Sequence, residues 1–220
     1  RPGGQRPGDA AAAGSREHRL SRALAKLLRH TAADCGVAMR PDGFCRVADA
    51  LASAPLRPLG AGVDDVLRAV RRNAKRRFEA RKEAGEWLVR AVQGHSLDIV
   101  DDESLLRKLS AEDSDLPAVC VHGTYRRHLP SILREGLLAG GRARGRNHVH
   151  FAPFEPGDGR VISGMRGDCE VALYLDLPAA LRGGVPFFAS VNQVILSPGL
   201  DGVVPQRYIV RMKDLQGGKW

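Results

Sequence analysis

Phe78-Glu79-Ala80-Arg81-Lys82-Glu83-Ala84-Gly85-Glu86-Trp87-Leu88-Val89-Arg90-Ala91 fixes the architecture of the first half of this chain. Phe78-Glu79-Ala80 and Trp87-Leu88-Val89-Arg90-Ala91 are strand-like runs. They flank Glu83-Ala84-Gly85-Glu86, a tight turn signal, so the stretch predicts a β-hairpin. Upstream, Ser15 can cap a helix that puts Leu20, Leu24, Leu27 and Leu28 on one face. Val63, Val66, Leu67 and Val70 mark a second helical face, with Arg68, Arg71 and Arg72 on its other sides. Between these helices Asp42-Gly43 signals a turn ahead of Phe44 and Val47. Helices followed by a hairpin over residues 15–96 predict a winged-helix-like lobe.

Downstream of the hairpin, residues 97–117 are acidic, end at Pro117 and read as a linker with one short helix around Leu105, Leu106 and Leu109. Beyond it the texture changes. Val119-Cys120-Val121-His122 has a buried-strand pattern, and residues 148–151, 171–175 and 191–196 are further strand candidates. Residues 132–138 resemble a helix end stopped by Gly136. One helix among several strands predicts an α+β lobe over residues 118–212 with an antiparallel-leaning sheet. Residues 1–14 are rich in Gly, Pro, Ala and Arg without an apolar core, so they read as a disordered tail rather than a signal peptide.

The charge is unevenly placed. Residues 1–95 hold 19 Lys and Arg against 10 Asp and Glu, while residues 96–220 hold 15 against 15. The whole excess of +9 therefore lies in the first part, as for a lobe that meets a polyanion, with nucleic acid the leading candidate. No apolar run approaches the roughly 18 residues of a membrane span. Four cysteines at 35, 45, 120 and 169 form no Cys-x-x-Cys pair. That spacing argues against a zinc site or a disulfide framework and for a reducing compartment, cytoplasmic or nuclear.

Cationic clusters carry the chemistry: Leu28-Arg29-His30, Arg76-Arg77-Phe78, and Arg146-Asn147-His148-Val149-His150-Phe151. No paired carboxylates accompany them, which points to a substrate that brings its own negative charge. Guanidinium forks match phosphate oxygens and keep their proton. Each cluster also has a plainer reading. Arg29 and His30 can simply complement a helix C-terminus, and basic pairs at strand starts are usually solvated. His122-Gly123-Thr124, at a strand-to-helix turn, can meet a ribose or pyrophosphate or merely satisfy the turn. In a strand, His148 and His150 share a face with Arg146, but no third ligand with metal spacing is evident. Gln93-Gly94-His95-Ser96 gathers polar donors around a glycine at the lobe junction.

Taken in order, these motifs resemble the NAD-dependent tRNA 2′-phosphotransferase family. Leu28-Arg29-His30, Asp42-Gly43-Phe44, Arg77-Phe78-Glu79, Gln93-Gly94-His95-Ser96 and His122-Gly123-Thr124 come first. Arg-x-His-Val-His-Phe at 146–151, Ile162-Ser163-Gly164-Met165-Arg166 and Pro186-Phe187-Phe188 follow. The resemblance runs from about residue 20 to residue 208. It implies an N-terminal winged-helix-like RNA lobe and a C-terminal lobe with the ADP-ribosyltransferase fold. It also implies a catalytic quartet, which lands on Arg29, His30, Arg77 and Arg146. Arg76 adjoins Arg77, and Arg142 and Arg144 precede Arg146, but only Arg77 directly precedes the Phe and only Arg146 has the His-x-His spacing. NAD-facing residues implied are His122, Gly123 and Thr124, with His148, His150, Ser163 and Arg166.

The activity implied is transfer of an internal RNA 2′-phosphate to NAD, the last step of tRNA splicing. An ADP-ribosylated RNA forms first; 2′-hydroxyl RNA, nicotinamide and ADP-ribose 1″,2″-cyclic phosphate are the products. Its partners would be spliced tRNA bearing that phosphate and NAD, with no metal and no membrane, and the protein would act as a monomer. Two alternatives remain: an ADP-ribosyltransferase acting on terminal phosphates of nucleic acids, and a non-catalytic RNA-binding protein. Protein-directed ADP-ribosyltransferases often use a glutamate near the nicotinamide ribose, whereas Asn192 and Gln193 stand after Phe187-Phe188 here.

Overall fold

A computed structural model describes residues 7–140, 146–161 and 163–217 of the protein, with side chains from Arg16 onward. The chain divides into two units, Arg1–Asp101 and Asp102–Trp220.

In the first unit, α1 spans Pro7–Lys26, so Ser15 lies inside the helix and does not cap it. The expected tail is helical from Pro7, and residues 1–6 lie outside the described residues. The alanine run at 10–13 has the highest helix propensity available, and proline is tolerated in a first turn where its missing N–H has no partner to lose. The helix continues directly into one π-turn, Leu27–Thr31. Then come β1 (Cys45–Arg46), α2 (Val47–Ala52) and α3 (Val63–Arg72). Asp64 and Asp65 sit in the first turn of α3 and Arg71 and Arg72 in its last, the arrangement its dipole favours. The hairpin is β2 (Phe78–Glu83) and β3 (Glu86–Ala91), and the antiparallel sheet order is β1-β3-β2. Leu24, Leu27, Leu28, Phe44, Val66 and Val89 are buried in this unit. The Phe44 ring lies beneath two guanidinium groups, Arg81 at 4.2 Å and Arg90 at 4.5 Å. Arg90 is held there by Glu79 Oε2 at 2.7 Å and the Asp42 carbonyl at 2.9 Å.

The second unit is α+β, and every strand pair among its described residues is antiparallel. The stretch expected as a linker contains the expected short helix, α4 (Asp102–Leu105), but also β4 (Arg107–Lys108), which pairs with a later strand. Burial of Leu105, Leu106 and Leu109 draws this segment into the unit. β5 (Val121–Thr124), α5 (Leu129–Glu135) and β6 (Leu137–Leu138) follow, with Gly136 at φ 88° ending the helix as expected. β7 (Val149–Phe151) and β8 (Val171–Leu175) fall where strands are expected.

α6 (Leu177–Arg182) is a helix that the pattern misses. Asp176 accepts from the Ala179 N–H at 2.9 Å and Pro178 sits in the first turn, so its signal is a cap and not a periodicity. β9 (Phe188–Ala189), β10 (Ile195–Ser197), β11 (Val203–Val204) and β12 (Ile209–Asp214) complete the unit. Residues 191–194 are a turn, not the start of a strand, because the Ser190 hydroxyl bonds both Asn192 Oδ1 at 2.7 Å and the Val194 N–H at 3.0 Å. The sheets run β4-β9-β10-β7, β12-β8-β5 and β11-β6. A backbone bridge, Val121 with Ala152, links β5 to the end of β7. Phe151, Leu173, Leu177, Phe187 and Ile195 fill the core between them.

Candidate active site

Arg29 and His30 stand on the π-turn. An inserted residue widens the helix there and turns successive side chains away from the regular spacing, a distortion often found at functional sites. Leu27 and Leu28 are fully buried and anchor the turn, while Arg29 and His30 are half-buried. Ser96 fixes both. Its N–H donates to the Arg29 carbonyl at 2.9 Å, and its hydroxyl lies 2.9 Å from His30 Nδ1. Gly94 takes a left-handed φ of 86° and lies against the Arg29 side chain, where a Cβ would stand in ordinary contact, 3.5 Å, with Nε. Residues 93–96 are thus the cradle of the Arg-His pair.

Arg77 is half-buried and held by its backbone: its N–H donates to Asn73 Oδ1 at 3.1 Å and its carbonyl accepts from the Val92 N–H at 3.0 Å. Arg76 is exposed and takes a left-handed φ of 43°. One chain segment, 92–96, therefore connects Arg77 to Arg29 and His30 within the first unit. Ser96 meets His30 across 66 residues, a pairing that no spacing rule reveals, whereas Asn73 is a local partner four residues before Arg77.

In the second unit the three histidines are joined in series. His122 Nδ1 donates to the His150 carbonyl at 2.9 Å, His150 Nδ1 donates to the His148 carbonyl at 3.2 Å, and His148 Nε2 meets Asp102 Oδ2 at 2.8 Å. Burial lowers the pKa of His122. Burial, Arg146 and the neighbouring histidines pull that of His150 down to about 3. Both rings are therefore neutral near pH 7, with Nδ1 protonated and Nε2 an acceptor. Arg146 is exposed on the surface. Even so, the protein around its head group and the nearby Arg166 lower its pKa, while a hydrogen bond with Tyr125 raises that of Arg166.

Gly123 is required by close packing: a Cβ would lie 2.7 Å from Cys169 Sγ and would collide with Met165. Thr124 is buried, its carbonyl accepting from the Glu170 N–H at 2.9 Å, and Ser163 is half-buried. Arg142 and Arg144 lie outside the described residues. Arg29, His30 and Arg77 belong to the first unit and Arg146 to the second. A cavity of ≈ 680 Å³ in the second unit, lined by Leu109, Val119, Phe154, Asp158, Arg160 and Ile195 among others, includes none of the expected site residues. Among the described residues no three His, Cys, Asp or Glu side chains are grouped to hold a metal ion.

The profile of the family described as RNA 2′-phosphotransferase, Tpt1 / KptA family matches residues 15–199. The chain belongs to this family. The matched span takes in every expected site residue, from Arg29 to Arg166. Among curated relatives, the chain is 43% identical over 205 residues to tRNA 2′-phosphotransferase 1 of Danio rerio, covering 92% of this chain and 88% of the relative. It is 43% identical over 196 residues to tRNA 2′-phosphotransferase 1 of Homo sapiens, covering 88% and 74%. The tRNA 2′-phosphotransferase of Saccharomyces cerevisiae is 31% identical over 199 residues, covering 89% and 85%. The family resembled by the ordered Arg and His motifs is the family the chain belongs to.

Proposed function

We propose that the protein is an NAD-dependent RNA 2′-phosphotransferase that removes the internal 2′-phosphate left on spliced tRNA. The first unit would serve as a winged-helix-like RNA lobe and the second as an ADP-ribosyltransferase-fold lobe that takes NAD. The observation that carries this reading is the family match across residues 15–199. The residues suit the co-substrate. Arg146 and Arg166 repel one another, which an anionic diphosphate would relieve, and His122 and His150 are neutral imidazoles able to accept from ribose hydroxyls.

When bound, NAD supplies an anomeric carbon bearing a good leaving group. The attacking 2′-phosphate oxygen is already an anion, so the protein's task is to hold it in line and not to deprotonate it. Arg29 and Arg77, with Arg146, would do so through guanidinium forks. The second step returns the 2′-oxygen to RNA and moves the phosphoryl group to the ribose 2″-hydroxyl. Charge gathers on the phosphoryl oxygens, where each well-aimed donor is worth about 3 kcal/mol by analogy with an oxyanion hole. His30 would protonate the departing 2′-oxygen. In its charged form Nδ1–H donates to Ser96 Oγ, and Nε2–H is the proton it would give.

Incubation with NAD and an oligoribonucleotide bearing one internal 2′-phosphate tests the reading. Release of nicotinamide coupled to loss of that phosphate is expected. Absence of both would leave an RNA-binding protein without this activity.

A further inference from the structure

Asp102 and His148 meet across the four-stranded sheet of the second unit. β4 and β7 are the outer strands of that sheet; Asp102 opens α4 just ahead of β4, and His148 stands immediately before β7. The His148 side chain is only 4% exposed, and its Nε2 lies 2.8 Å from Asp102 Oδ2. On the way its ring passes edge-on to Phe188 of β9, with centroids 6.4 Å apart. One imidazole therefore straps the entry of one edge strand to the segment that leads into the other. Its carbonyl receives His150 Nδ1–H and the His150 carbonyl receives His122 Nδ1–H, so the strap is the far end of the histidine series.

A buried imidazole N–H that loses its acceptor carries the full cost of desolvation, and the ring or its strand must move to find another. His148 lies two residues after Arg146 and two before His150, so movement there reaches both. We propose that Asp102 is a positioning residue. By holding His148 as the Nε2–H tautomer, it sets the entry to β7 and thereby the presentation of Arg146 and His150 to NAD. This rests on the reading of NAD as co-substrate.

The test uses the full chain. Long-range proton–nitrogen NMR spectra of the protein without ligand should show His148 as the Nε2–H tautomer and His122 and His150 as Nδ1–H tautomers. Asp102→Ala should abolish the His148 pattern and raise the Kd for NAD, measured calorimetrically without RNA, about tenfold. Asp102→Asn keeps an acceptor oxygen at the same reach and should restore the tautomer and most of the affinity. A wild-type His148 found as Nδ1–H overturns the proposal whether or not Asp102→Ala folds. So does a folded Asp102→Ala protein that binds NAD as tightly as wild type. If the wild type itself binds no NAD, the functional reading falls, and the role toward NAD with it.

Discussion

His150 has a folded pKa of about 3 against an ordinary 6.5, because burial and Arg146 oppose its charge. The unfolded chain takes up a proton near pH 6.5 that the folded protein refuses until about pH 3. Unfolding is thus proton-binding in that window, so the stability held above pH 6.5 is lost as pH falls. Between pH 7 and pH 5 the wild type should lose about 1–2 kcal/mol more than His150→Gln in urea titrations. Equal losses would mean that the ring is solvated. For Arg29 and His30 the expected signature is kinetic. Arg29→Ala or His30→Ala should impair the second step more than the first, because only the second must both stabilise the charge gathering on the phosphoryl group and protonate a departing alkoxide. Single-turnover assays should show ADP-ribosylated RNA accumulating, and its absence in both variants would refute that division. At this scale the sequence displays the cations but hides what holds them. Ser96 and Asp102 act on His30 and His148 over 66 and 46 residues, which no local pattern encodes.

Among the elements, the hairpin was the most legible, since its two-residue loop and alternating strands are local signals. Ala84 nevertheless sits at φ 48° beside Gly85 at φ 87°, a type I′ geometry in which a Cβ is strained. Ala84→Asn should raise stability by about 0.5–1 kcal/mol, read as a higher Tm, with activity unchanged. A lower Tm would show that the turn tolerates alanine better than its dihedrals imply. The π-turn was not legible. Leu27 and Leu28 keep a helical apolar pattern through Leu20 and Leu24, and the inserted residue shows only in where Arg29 and His30 are delivered. α6 escaped for the opposite reason: its six residues are too few for a period, and only its Asp176 cap announces it.

Over the molecule as a whole, the entire excess of +9 falls within residues 1–95. Arg71 and Arg76 are exposed at the end of α3 and just before Arg77. RNA affinity should therefore fall steeply with salt. Arg71→Glu with Arg76→Glu should reduce the log–log slope by about 0.7 for each phosphate that is no longer neutralised. A flat salt dependence in the wild type would remove RNA as the partner of the basic unit. The family and the α+β character of the second unit follow from the amino-acid order alone. Ordered motifs, hydrophobic periods and charge are all written along the chain. Folding in three dimensions was needed to join 102–108 to the second unit, to cradle Arg29 and His30 on residues 93–96, and to strap His148 to Asp102. Those depend on side chains meeting across a sheet or a turn, where burial makes an unmade hydrogen bond costly.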